Sequence, residues 1–128
     1  MLNQRDQELY KAAVEARGNS YSPYSHFAVG AAVRTADGKI YKGCNIENGS
    51  YGLTVCAERN AIFAAVGAGE RNLAELCVVA DTSGPVSPCG ACRQVISEFK
   101  INRIILTNLK GDVKEMSLEE ILPYGFEL

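Results

Sequence analysis

Leu9, Ala12, Ala13 and Ala16 recur at helical spacing within residues 4–17, and Gly18-Asn19 stops the run. Residues 18–26, with Ser20, Ser22, Pro23 and Ser25, read as a loop, and residues 27–36 as a strand. Asp37-Gly38 is a strong tight-hairpin signal, so residues 39–46 are expected to return as an antiparallel partner. Asn48-Gly49-Ser50 marks residues 47–55 as loop, and Ala57, Ala61, Ile62, Phe63, Ala64 and Ala65 make residues 56–67 a buried helix. Leu76-Cys77-Val78-Val79-Ala80 is short and wholly apolar, as in a strand covered on both faces. A loop over 83–88 with Gly84, Pro85 and Pro88 leads to a helix over 89–98, and residues 103–108 form another apolar strand. A turn at Gly111-Asp112 opens a short strand, and Ser117-Leu118-Glu119-Glu120 fits a capping box that starts a last short helix. The order α-β-β-α-β-α-β-β-α implies one sheet packed between helical layers. Catalytic groups in such folds collect where strands end and helices begin.

Length and composition agree with this layout. The 128 residues suit one domain over 1–128, with 47% apolar and 22% charged residues as in an ordinary soluble globular protein. No apolar run approaches the ~20 residues of a membrane helix. Met1-Leu2-Asn3-Gln4-Arg5-Asp6 is polar and shows no secretory signal, so a cytoplasmic location is expected. The net charge is −2 and the thirteen Lys and Arg residues are scattered, which disfavours a nucleic-acid partner but leaves a neutral small molecule open. Five cysteines, an odd number, do not suggest a disulfide framework in a reducing compartment.

Three of those cysteines fall in two short motifs, each at a predicted helix start: Cys56-Ala57-Glu58 and Pro88-Cys89-Gly90-Ala91-Cys92. Cysteines three apart on a helix share a face, so Cys89 and Cys92 can grip one ion together. A helix N-terminus offers free N–H groups and positive partial charge, which favour thiolates. Two such termini converging would place three thiolates around one point. Three protein ligands leave a tetrahedral zinc with an open position, the catalytic pattern, where water is acidified toward neutral pH. Glu58, two residues beyond a ligand, is placed to move that water's proton.

Other readings compete. Cys89-Gly90-Ala91-Cys92 also looks like a redox dithiol, with Cys56 an ordinary buried cysteine, although the chain has no Trp ahead of the pair. A structural zinc site would need Cys44 or Cys77 as fourth ligand, yet both lie in predicted strands and read as small buried hydrophobes. His26, the one histidine, reads as a polar loop residue. Phe27, Tyr51 and Phe126 could simply be core.

Thr54-Val55-Cys56-Ala57-Glu58-Arg59 and Pro88-Cys89-Gly90-Ala91-Cys92-Arg93-Gln94 resemble the small homotetrameric, zinc-dependent cytidine deaminases. The likeness runs through Pro23-Tyr24-Ser25-His26-Phe27-Ala28-Val29-Gly30-Ala31-Ala32, Gly43-Cys44-Asn45-Ile46-Glu47-Asn48 and Leu122-Pro123. It implies an α/β fold, a three-layer α/β/α sandwich with one mixed five-stranded sheet. It implies one zinc per subunit on Cys56, Cys89 and Cys92. The implied reaction is hydrolytic deamination of cytidine and 2'-deoxycytidine in pyrimidine salvage, with Glu58 passing a proton to N3 and helping ammonia leave. By the same resemblance Phe27 packs on the pyrimidine, Asn45 and Glu47 bind the sugar hydroxyls, and the Ala57 backbone and Glu58 address the base edge. Tyr51 and Phe126 would enter from neighbouring subunits of a homotetramer with shared active sites. Gly49 departs from a frequent alanine, and the chain stops two residues after Phe126, short of a longer tail.

Chemistry sharpens two of these implications. Glu47 at the sugar would accept bonds from hydroxyls and repel a phosphate, which favours a nucleoside over a nucleotide. Zinc with three thiolates carries net charge −1, which weakens its pull on water. The family assigns the compensation to Arg59, with Arg93 a weaker candidate. A deaminase of a cytosine-containing antibiotic such as blasticidin S shares the zinc motifs and is the nearest enzyme alternative. The Asn45-Ile46-Glu47-Asn48 element favours the nucleoside.

Overall fold

The computed structural model describes residues 2–128. The elements are α1 (Gln4–Arg17), β1 (Val29–Thr35), β2 (Ile40–Cys44), α2 (Ala57–Gly67), β3 (Leu73–Ala80), α3 (Gly90–Glu98), β4 (Arg103–Asn108), β5 (Val113–Met116) and α4 (Leu118–Ile121). Element order matches the sequence expectation. Two details differ. A single 3-10 turn, Tyr51–Leu53, interrupts the loop after β2, and β3 begins at Leu73 rather than at Leu76. The extension of β3 was hidden by Glu75, a carboxylate buried beside arginines.

The five strands form one mixed sheet in the order β2-β1-β3-β4-β5. Strands β1 and β2 pair antiparallel as a hairpin, with Gly38 at φ 97° in its turn. β1 is also antiparallel to β3, β3 is parallel to β4, and β4 is antiparallel to β5. Strands β2, β3 and β4 therefore run in one direction. Chain connections that leave the carboxyl ends of β2 and β3 start from the same edge of the sheet.

Two apolar layers hold the sheet between helices. On one face Leu9 and Ala13 of α1 pack with Ala32, Cys77, Val79 and Ile105. On the other, Ala57, Ala61, Ile62 and Ala65 of α2 and Ile96 of α3 pack with Ala31, Val33, Leu76, Val78, Ile104 and Leu106. The small residues permit close approach. A Cβ at Gly30 would lie 2.0 Å from the Ala13 carbonyl oxygen, and one at Gly43 would lie 2.2 Å from the Ala61 nitrogen. Glycine is thus required where α1 crosses β1 and where α2 crosses β2.

At the opposite edge of the sheet, charges fix α1. Arg103 makes a two-pronged pair with Asp6, at 2.7 Å on each arm, and also reaches Glu75 at 3.2 Å. The buried Arg34 donates to Glu75 at 3.1 Å and to the Arg5 carbonyl at 2.8 Å. Hydrogen bonds from Arg103 hold the Asp6 carboxyl below its ordinary range, against the opposing effect of burial. A carboxylate with a depressed folded-state pKa contributes stability above its unfolded pKa of about 3.9 and loses it as pH falls through the folded value. Asp6→Asn should therefore lower unfolding stability at pH 7 by about 2 kcal/mol, with the difference from wild type closing below about pH 4. Urea titrations across pH check this; a gap that persists unchanged in acid would contradict it.

Candidate active site

The shared edge brings two helix starts together. Cys56 is the N-cap of α2 and Cys89 the N-cap of α3, with Cys92 in the first turn of α3. Their sulfurs all lie within 4.8 Å of one another, and Cys56 Sγ is 3.8 Å from Cys89 Sγ. A tetrahedral zinc with sulfur at about 2.3 Å sets its sulfurs about 3.8 Å apart. The donor set thus fits a zinc ion in type and in spacing. Neither Cys44 nor Cys77 joins the cluster among the described residues. Cys77 is wholly buried in the α1 layer, and burial pushes its thiol up to about 12.

Electrostatics at the cluster are asymmetric. The nearby Cys92 thiol pulls the Cys56 thiol well below its usual range, with Arg59 assisting. Cys92 is correspondingly raised, because its proton is held against the Cys56 sulfur in a buried place. Arg59 Nη2 donates to Cys56 Sγ at 3.4 Å, while Arg59 Nε is buried without a partner. The guanidinium therefore already faces the sulfurs, with a donor to spare. Glu58 is only 5% exposed, and burial, reinforced by the Cys56 charge, raises its carboxyl to about 7. A carboxyl near neutrality can both take and return a proton.

The loops beside the cluster are pinned in register. Ile46 exchanges backbone hydrogen bonds with Val55, both at 3.0 Å, one residue before Cys56. On the other side, Tyr21 N–H donates to the Asn45 carbonyl at 3.0 Å and Glu47 N–H to the Tyr21 carbonyl at 2.8 Å. Asn45 is 8% exposed, accepts from Val29 N–H at 2.9 Å and donates to the Phe27 carbonyl at 2.7 Å. Glu47 accepts from the Tyr24 and Ser25 N–H groups at 3.0 and 3.2 Å. Asn45, Glu47 and the Phe27 backbone are thereby gathered on the edge that carries Cys56 and Glu58.

The three aromatic candidates are not core residues. Phe27 is 42% exposed, Tyr51 76% and Phe126 69%. Tyr51 stacks edge-on against Tyr24 with ring centres 6.2 Å apart, in a concavity lined by Ser25, Glu47 and Thr54. Phe126 stands apart, beside Ser97, Glu98 and Lys100 near the end of α3. Arg93 does not reach the sulfurs; it donates to the carbonyls of Pro88 and Ile121 at 2.9 and 2.7 Å. Sequence reasoning missed Asn60, whose side chain donates to the Cys44 carbonyl at 2.8 Å and ties α2 to the end of β2. An asparagine inside an alanine-rich helix was its only signal.

A family model described as "Cytidine and deoxycytidylate deaminase zinc-binding region" matches residues 3–108. A cytidine deaminase of Sporosarcina psychrophila is 54% identical over 122 residues, covering 94% of this chain and 90% of that protein. The crystal structure of a cytidine deaminase from Burkholderia pseudomallei superposes with a TM-score of 0.92 at 48% identity, covering 98% of this chain and all of that one. A blasticidin-S deaminase of Bacillus cereus is more distant, 33% identical over 133 residues, covering 98% of this chain and 94% of that protein.

The Arg59 contact yields a prediction about metal retention. With Arg59→Ala the Cys56 thiolate loses its nearest cation, so zinc should pass to a competing chelator about 10- to 100-fold more readily. Turnover should fall as well. Unchanged zinc retention in the variant would show that the guanidinium does not support the sulfurs.

Proposed function

Because the chain belongs to the cytidine and deoxycytidylate deaminase family, we propose that it converts cytidine and 2'-deoxycytidine to uridine and 2'-deoxyuridine with release of ammonia. The observation that carries this reading is a buried carboxyl, Glu58, two residues from Cys56 in a three-sulfur cluster whose spacing suits a tetrahedral ion. Cys56, Cys89 and Cys92 would hold one zinc ion, a Lewis acid that brings the pKa of water toward neutrality.

The chain's own residues supply the rest. Glu58 takes a proton from the attacking water and delivers it to N3 of the pyrimidine. A second proton, also passed through Glu58, leaves on the amine, so water and cytidine become uridine and ammonia with atoms balanced. The Ala57 backbone and Glu58 address the polar edge of the base, and Phe27 covers its ring. Asn45 offers a donor and Glu47 an acceptor to the sugar. The Ser25 hydrogen bond lowers the Glu47 carboxyl further below neutrality, and the resulting anion suits hydroxyls and disfavours phosphate. This arrangement favours a nucleoside over an antibiotic substrate.

The assembly is proposed to be a homotetramer. Tyr51, Leu53 and Phe126 expose large apolar side chains outside any core, and Phe126 lies away from Glu47 within one chain. A contribution of Phe126 from a neighbouring copy would close the open site, and Tyr51, which lines the concavity beside Glu47 in its own chain, would stand at that seam. Light scattering should report four chains per particle; a monodisperse monomer would overturn the shared-site reading. A role in cytoplasmic pyrimidine salvage fits free thiols and the lack of any described helix long and apolar enough to cross a membrane.

Ultraviolet monitoring of cytidine turnover tests the reaction. Glu58→Ala should keep one zinc per chain and lose at least about 10²-fold in kcat. A zinc-loaded variant as fast as wild type would sink the mechanism. A zinc-free chain that cycles a Cys89–Cys92 disulfide would point to dithiol chemistry in its place.

A further inference from the structure

The segment Tyr24–Phe27 is held in an unusual shape directly over Glu47. His26 sits at φ 56°, in the left-handed region that non-glycine residues seldom adopt. Ser25 bridges this residue on both sides. Its hydroxyl oxygen accepts from Phe27 N–H at 3.0 Å, and its hydroxyl hydrogen goes to Glu47 Oε2. The Tyr24 and Ser25 N–H groups hold the other carboxylate oxygen, Oε1.

A carboxylate has about four acceptor positions. Three donors from the loop leave Glu47 one, on Oε2, the oxygen fixed only by the Ser25 hydroxyl. Asn45 is saturated in the same way. Its Oδ1 accepts from Val29 N–H and the Ser20 hydroxyl, and one Nδ2 hydrogen goes to the Phe27 carbonyl, so one donor remains. The pair is left with one donor and one acceptor, the complement of a hydroxyl.

Resting on the nucleoside deaminase reading above, we propose that Ser25 is a positioning residue for substrate recognition: its hydroxyl orients Glu47 Oε2, the sugar acceptor, while Phe27 is also held through its carbonyl by the Asn45 side chain. Ser25 is exposed and belongs to neither apolar layer. Its removal leaves Glu47 held at Oε1 alone, free to swing. Binding energy is then lost only where the substrate has a hydroxyl to offer, because ordering of the acceptor must be supplied at each encounter.

The test compares cytidine with 2',3'-dideoxycytidine, which lacks both ring hydroxyls, on the zinc-loaded full chain. Ser25→Ala should raise KM for cytidine about tenfold with kcat within about twofold. Its kcat/KM for the dideoxy substrate, read at raised enzyme concentration, should change by less than about twofold. The ratio of the two kcat/KM values is independent of the fraction of folded enzyme, so a loss of folded protein cannot imitate the effect. Ser25→Thr, which keeps the hydroxyl, should retain the wild-type ratio. An equal loss on both substrates, or Ser25→Thr matching Ser25→Ala, overturns the proposal while leaving the deaminase reading intact. A wild-type chain inactive on cytidine overturns the deaminase reading and the proposal with it.

Discussion

Everything at the site depends on β2 and β3 running parallel with β1 between them. That arrangement obliges the chain to cross β1 through α2, and it starts α2 and α3 from a single edge. Each helix start brings unpaired N–H groups and a positive partial charge. The sulfurs of Cys56 and Cys89 stand at those two starts, 3.8 Å apart. Such closeness requires the helices to lie tightly on the sheet, and Gly43 grants it: no side chain could stand between β2 and the backbone of Ala61. The active edge is thus set by backbone approach before any catalytic side chain is considered.

Charge then governs the cluster. Three sulfurs within 4.8 Å cannot all ionise without a cation beside them. Their contact lowers the Cys56 thiol and raises that of Cys92, so ionisation is shared unevenly between them. Arg59 supplies one positive group, and its unpartnered Nε shows that its hydrogen bonds are not exhausted. A metal ion binds cysteine as thiolate, so its binding here would be linked to pH. Glu58 feels the same field. Burial raises its carboxyl and the Cys56 charge raises it further, so the proton affinity of Glu58 is set partly by its neighbours.

Most of the scaffold was legible in the sequence because its signals are local. The Asp37-Gly38 turn, the Ser117–Glu120 capping box and the apolar runs of β3 and β4 each declare themselves within a few residues. The capping box forms both of its expected hydrogen bonds, at 2.9 and 3.2 Å. The cysteines were equally readable, since their spacing and their position at helix starts follow from chain geometry. What escaped was tertiary. Asp6 and Arg103 are 97 positions apart and look like surface charges until the sheet edge joins them. Glu75 shortened the expected strand because a lone carboxylate reads as an end, whereas Arg34 and Arg103 make it tolerable inside. The single turn at Tyr51–Leu53 is too short for any period to show.

The polar loops mark the boundary of what pattern can reveal. Ser20, Ser22, Pro23 and Ser25 read as generic loop residues, yet the hydroxyls of Ser20 and Ser25 are spent on Asn45 and Glu47. Loop composition gives no register, and register decides which hydroxyl meets which acceptor. Here it comes from elsewhere: residues 45–47 are clamped between Tyr21 and Val55 by backbone bonds. Val55 precedes Cys56, so the same clamp that orders Asn45 and Glu47 also sets the entry to α2. The Asn45–Glu47 segment and the cysteine cluster are therefore joined through Ile46. A displacement of the 18–28 loop would be felt at the sulfurs through two hydrogen-bonded steps, without any change in the ligands themselves.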